Sequence, residues 1–405
     1  MLDNFVLRAA KSGQADICGG VLERLRQAGA ERAGFVLYPL IEFGMEVPPL
    51  LRSSSDLKSV AVFKDANFAV AAQANTLDGA FNNLKKMASA LGIKARISRS
   101  DIEHHVRAGN MKWFTSNPLL LVRLSSHTGA YYENQFVYTL KIRIAAAQIV
   151  MLHALIVDAG IKIERFSSSA VVNNSETWDI RHYLIGEATQ AEKPLSIRRV
   201  PMNVAALELV RLSDLAVTLS TRTLKRPKFR SLKQRITPVL RSIEEGYLGH
   251  VNITSKEKVH ARVYRRLVTA LDWYRHSFGS RTKESEAIVA LAVAFETLLT
   301  DHYAPGGATR IARRIGICLK TDPKLDEYQV SVIAVYHARS EIVHSGDGGH
   351  ETEISSAQAA FAKCFVEVAS RLDQLNRSMV DPIRELLGDA LTEEEKKAKE
   401  AALKA

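Results

Sequence analysis

From about residue 254 onward, apolar residues recur every three to four positions, and turn-forming residues interrupt the pattern at short intervals. A chain written this way is restricted to helices that each bury one stripe against their neighbours. The spacing predicts a first helix over residues 255–278, with Val259, Val263, Leu267, Leu271 and Tyr274 on one stripe. A second spans 284–302 through Ile288, Leu291, Ala292, Phe295, Leu298 and Leu299. Pro305, Gly306 and Gly307 punctuate the chain before a third helix at 308–319, strongly basic at Arg310, Arg313 and Arg314. After Asp322 and Pro323 a fourth runs over 326–343, stopped by Gly346, Gly348 and Gly349. The fifth, 353–375, carries Ile354, Phe361, Phe365, Val368, Leu372 and Leu375. Short links between amphipathic helices predict an all-α antiparallel bundle over 251–388. Residues 389–405 form a charged, alanine-rich tail, where Thr392 and Glu395 have the spacing of a capping box at the start of a solvent-exposed helix.

Residues 1–250 mix two periods and read as an α+β domain of no recognisable type. A helix is predicted over 15–27 through Ile17, Val21, Leu22 and Leu25, and another over 76–91 through Phe81, Leu84, Met87 and Leu91, with Gly92 as its C-terminal cap. Short strands are predicted at 59–63, 119–122 and 176–184, where β-forming residues cluster. The long apolar segment from about 135 to 159 is most apolar over 144–157. That core holds Gln148 and His153 and is too short to span a bilayer, so it reads as a buried helix. A further helix is predicted over 204–219 through Leu207, Val210, Leu212 and Leu215, and the domain boundary is placed near 250, after Gly246 and Gly249.

The 405 residues are enough for two or three domains, each with its own core. The formal net charge of +11 favours polyanionic partners such as RNA, DNA or an anionic surface. Much of the excess sits in one run: Arg222, Lys225, Arg226, Lys228, Arg230, Lys233, Arg235 and Arg241, with no acidic residue between them and Pro227 interrupting. Such a run suits a phosphate backbone, and equally a solvated helix face or a connector. The three cysteines, Cys18, Cys318 and Cys364, are far apart and show no CxxC spacing. No disulfide framework or zinc site is expected, and buried free thiols in a reducing compartment are. Met1 and the residues after it lack the pattern of a signal peptide, which points to a cytoplasmic chain. No glycine-rich phosphate loop, HExxH motif or nucleophile elbow is found, and no cofactor or metal is expected.

The chemistry concentrates at the end of the fourth helix, in Tyr336-His-Ala-Arg339-Ser340-Glu341-Ile-Val-His344-Ser-Gly346. Arg339 precedes His344 by five residues, about 140° around a helix. The pair joins a fixed planar cation to a group that titrates near neutrality. On a phosphodiester, one would hold developing charge and the other move a proton. A helix-capping role is the bland alternative. The same spacing recurs at Arg99 and His104, beside His105, but there Ser98, Ser100, Asp101 and Glu103 suggest a loop entering a short helix and an exposed polar cluster.

The order of these features over roughly residues 254–380 resembles the ApeA-like branch of the HEPN superfamily. The features are Ala-Phe-Glu296-Thr-Leu-Leu on the second helix, a basic third helix, and Tyr-x-x-Arg-Ser-x-x-Val-His-Ser-Gly on the fourth. The resemblance implies an all-α module that dimerises and brings two Arg/His motifs to one cleft. It implies a metal-independent ribonuclease in phage defence or toxin-like growth control, with an antitoxin or other regulatory partner and no membrane partner. In that scheme Arg339 binds phosphate, His344 serves as base with its dimer mate as acid, and Ser340 completes the catalytic set. Glu296 and Tyr336 support the cleft, although Glu296 is better read as pairing with Arg313 or Arg339, and Tyr336 equally as core. RNA contacts fall to Arg310, Arg313 and Arg314 and to Lys225, Arg226, Lys228 and Arg230. The alternative is a non-catalytic HEPN module that dimerises and binds RNA or a partner, with the N-terminal half as sensor.

Overall fold

A computed structural model describes residues 34–40, 43–46, 59–94, 96–108, 111–124, 131–161, 182–187, 195–201, 215–251, 258–279, 284–302, 306–345 and 353–390. The predicted helix at 15–27, residues 204–214 of that at 204–219, the first six positions of the strand at 176–184 and the charged tail from 391 lie outside the described residues. The helix expected to reach 219 is corrected at its end, where 215–217 are non-helical and Thr218–Ser220 form a strand. The chain divides into two compact units. One comprises residues 1–142 and 167–213, the other residues 143–166 and 214–405.

The first unit is built on an antiparallel sheet. Its strands are β1 (Gly34–Pro39), β3 (Val60–Phe63), β4 (Phe68–Ala71), β5 (Leu119–Leu124), β6 (His182–Glu187) and β7 (Ser196–Pro201), with the three-residue β2 (Gly44–Glu46) following β1. The order is β3-β4-β5-β1-β6-β7, and Val36 at the centre lies opposite Val122 and Ile185. One face, with Phe35, Leu37, Ala69, Ala71, Leu119, Leu121 and Leu184, forms a core with α1 (Leu77–Ala90), α2 (Arg99–Ala108) and α3 (Trp113–Ser116). The opposite face, including Val36, Tyr38, Val70, Leu120 and Ile185, is buried as well. Strands covered on both sides carry no polar alternation. That is why β1 and β4 do not declare themselves by period, whereas β7 is an edge strand on which only Val200 is buried.

Local signals in α1 match its ends. Thr76 accepts the Gly79 N–H at 3.1 Å as N-cap, and Gly92 adopts φ 70°, the left-handed conformation that ends the helix.

α4 (Tyr131–Asp158) has its first part in the first unit and its second part in the other. Gln135–Asp158 is long and apolar enough by composition to cross a membrane, which corrects the expectation that this segment is too short. Its burial agrees with a core helix: 78% of its most apolar window is inside the protein. Apolar residues all round the helix, rather than on one stripe, are what burial on all sides requires.

The second unit is mostly helical. After β8 (Thr218–Ser220) come α5 (Thr221–Leu224), α6 (Pro227–His250), α7 (Lys258–His276), α8 (Glu284–Leu299), α9 (Gly307–Cys318), α10 (Leu325–Ser345), α11 (Ser355–Ala369) and α12 (Pro382–Leu387). The five predicted helices correspond to α7–α11 within a few residues at each end, with the last ending earlier, at Ala369. The division near 250 is not where the units part, because α6 runs straight through Gly246 and Gly249 and belongs with α7–α12. Gly246 serves packing: a Cβ there would lie 2.1 Å from the Tyr264 ring. Pro227 does not break α6 but begins it, in the first turn where its missing N–H costs nothing. The core centres on Tyr274, stacked on Phe361 at 4.3 Å, with Phe295 edge-on to Phe361 at 5.4 Å.

Candidate functional site

α10 is one unbroken helix through the whole Arg/His motif. Arg339 and His344 are therefore held about 7.5 Å apart along its axis and about 140° apart around it. Asp326 and Glu327 in the first turn and His344 in the last match the helix dipole. Tyr328, Val332, Val335, Tyr336 and Ala338 form the buried face. Arg339 lies at its margin, half-buried, while Ser340 and His344 are exposed. Among the described residues, no hydrogen bond or ion pair joins His344 to Arg339, Ser340 or Glu296.

Tyr336 is the hub of the inner side. Its hydroxyl donates to the Ala292 carbonyl at 3.0 Å, tying α10 to α8. Burial pushes this phenol well up, the Glu296 carboxylate adds to the shift, and the Arg339 guanidinium works against it. Tyr336, Glu296 and Arg339 are thus electrostatic neighbours. Glu296 is half-buried and has no salt-bridge partner among the described residues, so the expected pairing with Arg313 or Arg339 does not form. Arg339 has none either, and its Nε is buried without an acceptor.

The other interior arginines of this unit differ. Arg266 caps α8, donating to the carbonyls of Glu296, Thr297, Thr300 and Asp301. Arg313 and Arg314 both reach Asp389, at 2.8 and 2.7 Å, and Arg314 also donates to the Leu299 carbonyl. Arg310 and Arg314 are buried. The expectation that α9 offers Arg310, Arg313 and Arg314 to RNA is corrected accordingly. Burial removes the first and third from solvent, and Asp389 holds the third together with the more exposed Arg313. Charge along a sequence does not reveal which cations a fold spends on its own carboxylates.

The basic run behaves differently. Lys225, Arg226, Lys228 and Arg230 are exposed where α5 meets α6, and none has a carboxylate partner among the described residues. Further along α6, Arg235 and Arg241 are engaged by Glu367 at 3.4 Å and Glu245 at 2.8 Å. Four uncompensated cations therefore gather at the N-terminal end of a 24-residue helix, where the dipole adds positive potential.

The second Arg/His spacing forms no comparable site. Arg99 opens α2 and pairs with Asp78 at 2.7 Å, Glu103 pairs with Arg107 at 2.6 Å, and His105 Nε2 lies 3.2 Å from the Ile197 carbonyl.

One constellation escaped the sequence reading altogether. Asp158, at the end of α4, accepts hydrogen bonds from the Tyr328 hydroxyl at 2.9 and 3.0 Å and from Lys324 Nζ at 2.9 Å. Lys363 Nζ donates to the Tyr328 hydroxyl at 2.5 Å and to Asp322 at 2.9 Å. Burial opposes ionisation of Asp158, but the Lys324 and Tyr328 hydrogen bonds and the Lys363 charge outweigh it and hold the carboxyl below its ordinary range. Two lysines balance two aspartates, so the cluster staples α4 to α10 and α11 with little net charge. Nothing local announces a partnership across more than 160 positions.

Among the described residues no group of three or more histidine, cysteine, aspartate or glutamate side chains is placed to hold a metal. No protein-family model, no curated protein and no solved structure matches this chain.

Proposed function

We propose that this chain is a metal-independent endoribonuclease of the HEPN type. Arg339 holds the scissile phosphate and His344 moves the proton. The observation that carries this reading is the state of Arg339. It is a half-buried guanidinium with no partner among the described residues, on the same helix as an exposed histidine, in a unit where Arg266, Arg313 and Arg314 are engaged by carboxylates or carbonyls. A cation placed at such cost has its planar fork available to an anion.

The chemistry needs no further reactant. A base takes the 2′-hydroxyl proton, and O2′ attacks phosphorus. Arg339 stabilises the charge on the phosphorane, and an acid protonates the departing 5′-oxygen. The products are a 2′,3′-cyclic phosphate and a 5′-hydroxyl. One chain offers one His344, so base and acid together call for a second copy, and a homodimer is part of the proposal. Lys225, Arg226, Lys228 and Arg230 supply phosphate contacts outside the reacting centre.

A second reading has its own support. His344 has no orienting hydrogen bond among the described residues, and catalytic histidines are commonly held by one. That favours a module that binds RNA through the same residues without cutting it. Incubating the purified protein with single-stranded RNA in EDTA separates the two. The nuclease reading predicts fragments with 2′,3′-cyclic phosphate ends. RNA bound but intact supports the binding module, and cleavage that requires added Mg²⁺ contradicts the proposed chemistry.

A further inference from the structure

Glu341 is the one acidic residue of α10 after its first turn. The helix is unbroken to Ser345, so Glu341 stands three residues before His344 and about 60° from it around the axis. At that spacing the two Cβ atoms are about 5–6 Å apart. Cα–Cβ bonds of a helix tilt toward its N-terminus, so the imidazole leans back over the turn that carries the carboxylate. The Ser345 hydroxyl donates to the Glu341 carbonyl at 2.5 Å, which fastens this last turn and keeps the two residues at helical spacing. Both side chains are exposed, and neither the carboxylate nor the imidazole is bonded to another group among the described residues.

We infer that Glu341 is the positioning residue for His344: its carboxylate accepts the Nδ1–H and leaves Nε2 bare for the substrate. The structure places the two groups one turn apart with the bond open, and rotation of two exposed side chains closes it. His337, one turn to the other side of Glu341 on the same exposed face, is the rival for the carboxylate. The C-terminal end of the helix dipole favours a charged imidazole at 344 over one at 337.

The proton inventory is simple. When His344 takes the 2′-hydroxyl proton on Nε2, the ring keeps its Nδ1–H on Glu341. The carboxylate stays ionised and offsets the new charge without taking a proton itself. In the second copy the same contact holds an imidazolium whose Nε2–H goes to the departing 5′-oxygen. The effect on rate rests on the ribonuclease proposal, whereas the contact rests on helix geometry.

The test uses the full-length protein with nitrogen-labelled histidine, read by NMR in alkaline buffer where the ring is neutral, with His344→Ala identifying the resonance. Wild type should hold His344 in the Nδ1–H form. Glu341→Ala should move it toward the Nε2–H form, and Glu341→Asp, which keeps a carboxylate, should restore it. On single-stranded RNA in EDTA, Glu341→Ala should lower kcat about tenfold, the worth of one net hydrogen bond. KM and the melting temperature should not move, and Glu341→Asp should recover most of the loss. A His344 tautomer that is the same in wild type and Glu341→Ala would overturn the inference, whether or not RNA is cut. A tautomer that follows Glu341 in a chain that leaves RNA intact would support the contact and contradict the nuclease reading instead.

Discussion

Arg339 and Arg314 belong to the same helical unit and meet the interior in opposite ways. Arg314 neutralises a buried Asp389 and donates to the Leu299 carbonyl, whereas the Arg339 Nε is buried with no acceptor. Arg314→Ala leaves Asp389 with Arg313 alone and the Leu299 carbonyl without this donor, and should cost about 2 kcal/mol of stability. Arg339→Ala should leave stability within about 0.5 kcal/mol, as for sites outside any bonded network. Thermal or denaturant melting of the two variants checks this, and a large loss for Arg339→Ala would mark it as structural. Glycine gives a second contrast on one helix. Gly246→Ala drives a methyl into the Tyr264 ring, itself stacked on His250 at 5.4 Å, and should cost about 1–3 kcal/mol. Gly249→Ala meets nothing within 4 Å and should add about 0.5–1 kcal/mol through helix propensity. Equal effects in the melts would refute the close approach of α6 and α7.

Two elements are decided by charge. The end of α4 is fastened to α10 through Asp158, whose carboxyl is held below its ordinary value. A depressed carboxylate contributes stability that is fully present above the unfolded value, 3.8, and is lost as pH falls through the lower folded one. Asp158→Ala should thus be less stable than wild type by about 3 kcal/mol at neutral pH, with the gap closing as the medium is acidified below pH 3.8. A gap that stays constant down to pH 2 would mean the staple is not ionic. The start of α6 tests RNA contact. Replacing Lys225, Arg226, Lys228 and Arg230 together by glutamine should weaken binding and reduce the log–log salt slope by about 0.7 per lost single-strand phosphate contact. An unchanged slope would leave them as a solvated face. How far these elements could be read in advance follows from what surrounds each. α7–α11 present one apolar stripe to neighbours and have legible ends, as α1 has in Thr76 and Gly92. β1 and β4 are covered on both faces, β7 is an edge strand with one buried residue, and α6 begins with a proline that resembles a break. The candidate pair Arg339 and His344 was legible as a local motif. The fates of Arg310, Arg313 and Arg314, and the staple at Asp158, were not, because each depends on residues far away in the chain.

At the scale of the whole molecule, the helical unit is not a C-terminal appendage that begins at residue 251. The second part of α4 belongs to it, with Arg143 paired to Asp272, Gln148 bonded to Thr237 at 2.8 Å, and His153 Nδ1 2.9 Å from the Thr218 carbonyl. A fragment starting at 251 lacks α4 and α6 and leaves Asp272 and Tyr328 without these partners. It should show no cooperative melt, while the full chain does. A fragment that melts as sharply as the intact protein would restore the boundary near 250. The proposed function is likewise a property of the assembled helix end. The most direct measurement is the rate of single-stranded RNA cleavage in chelator by wild type, Arg339→Ala, His344→Ala and, as a control on the same helix, His337→Ala, with melting recorded for each. The proposal predicts losses on the order of 10²-fold for Arg339→Ala and for His344→Ala, an unchanged rate for His337→Ala, and four intact folds. Wild-type cleavage by folded His344→Ala would contradict it.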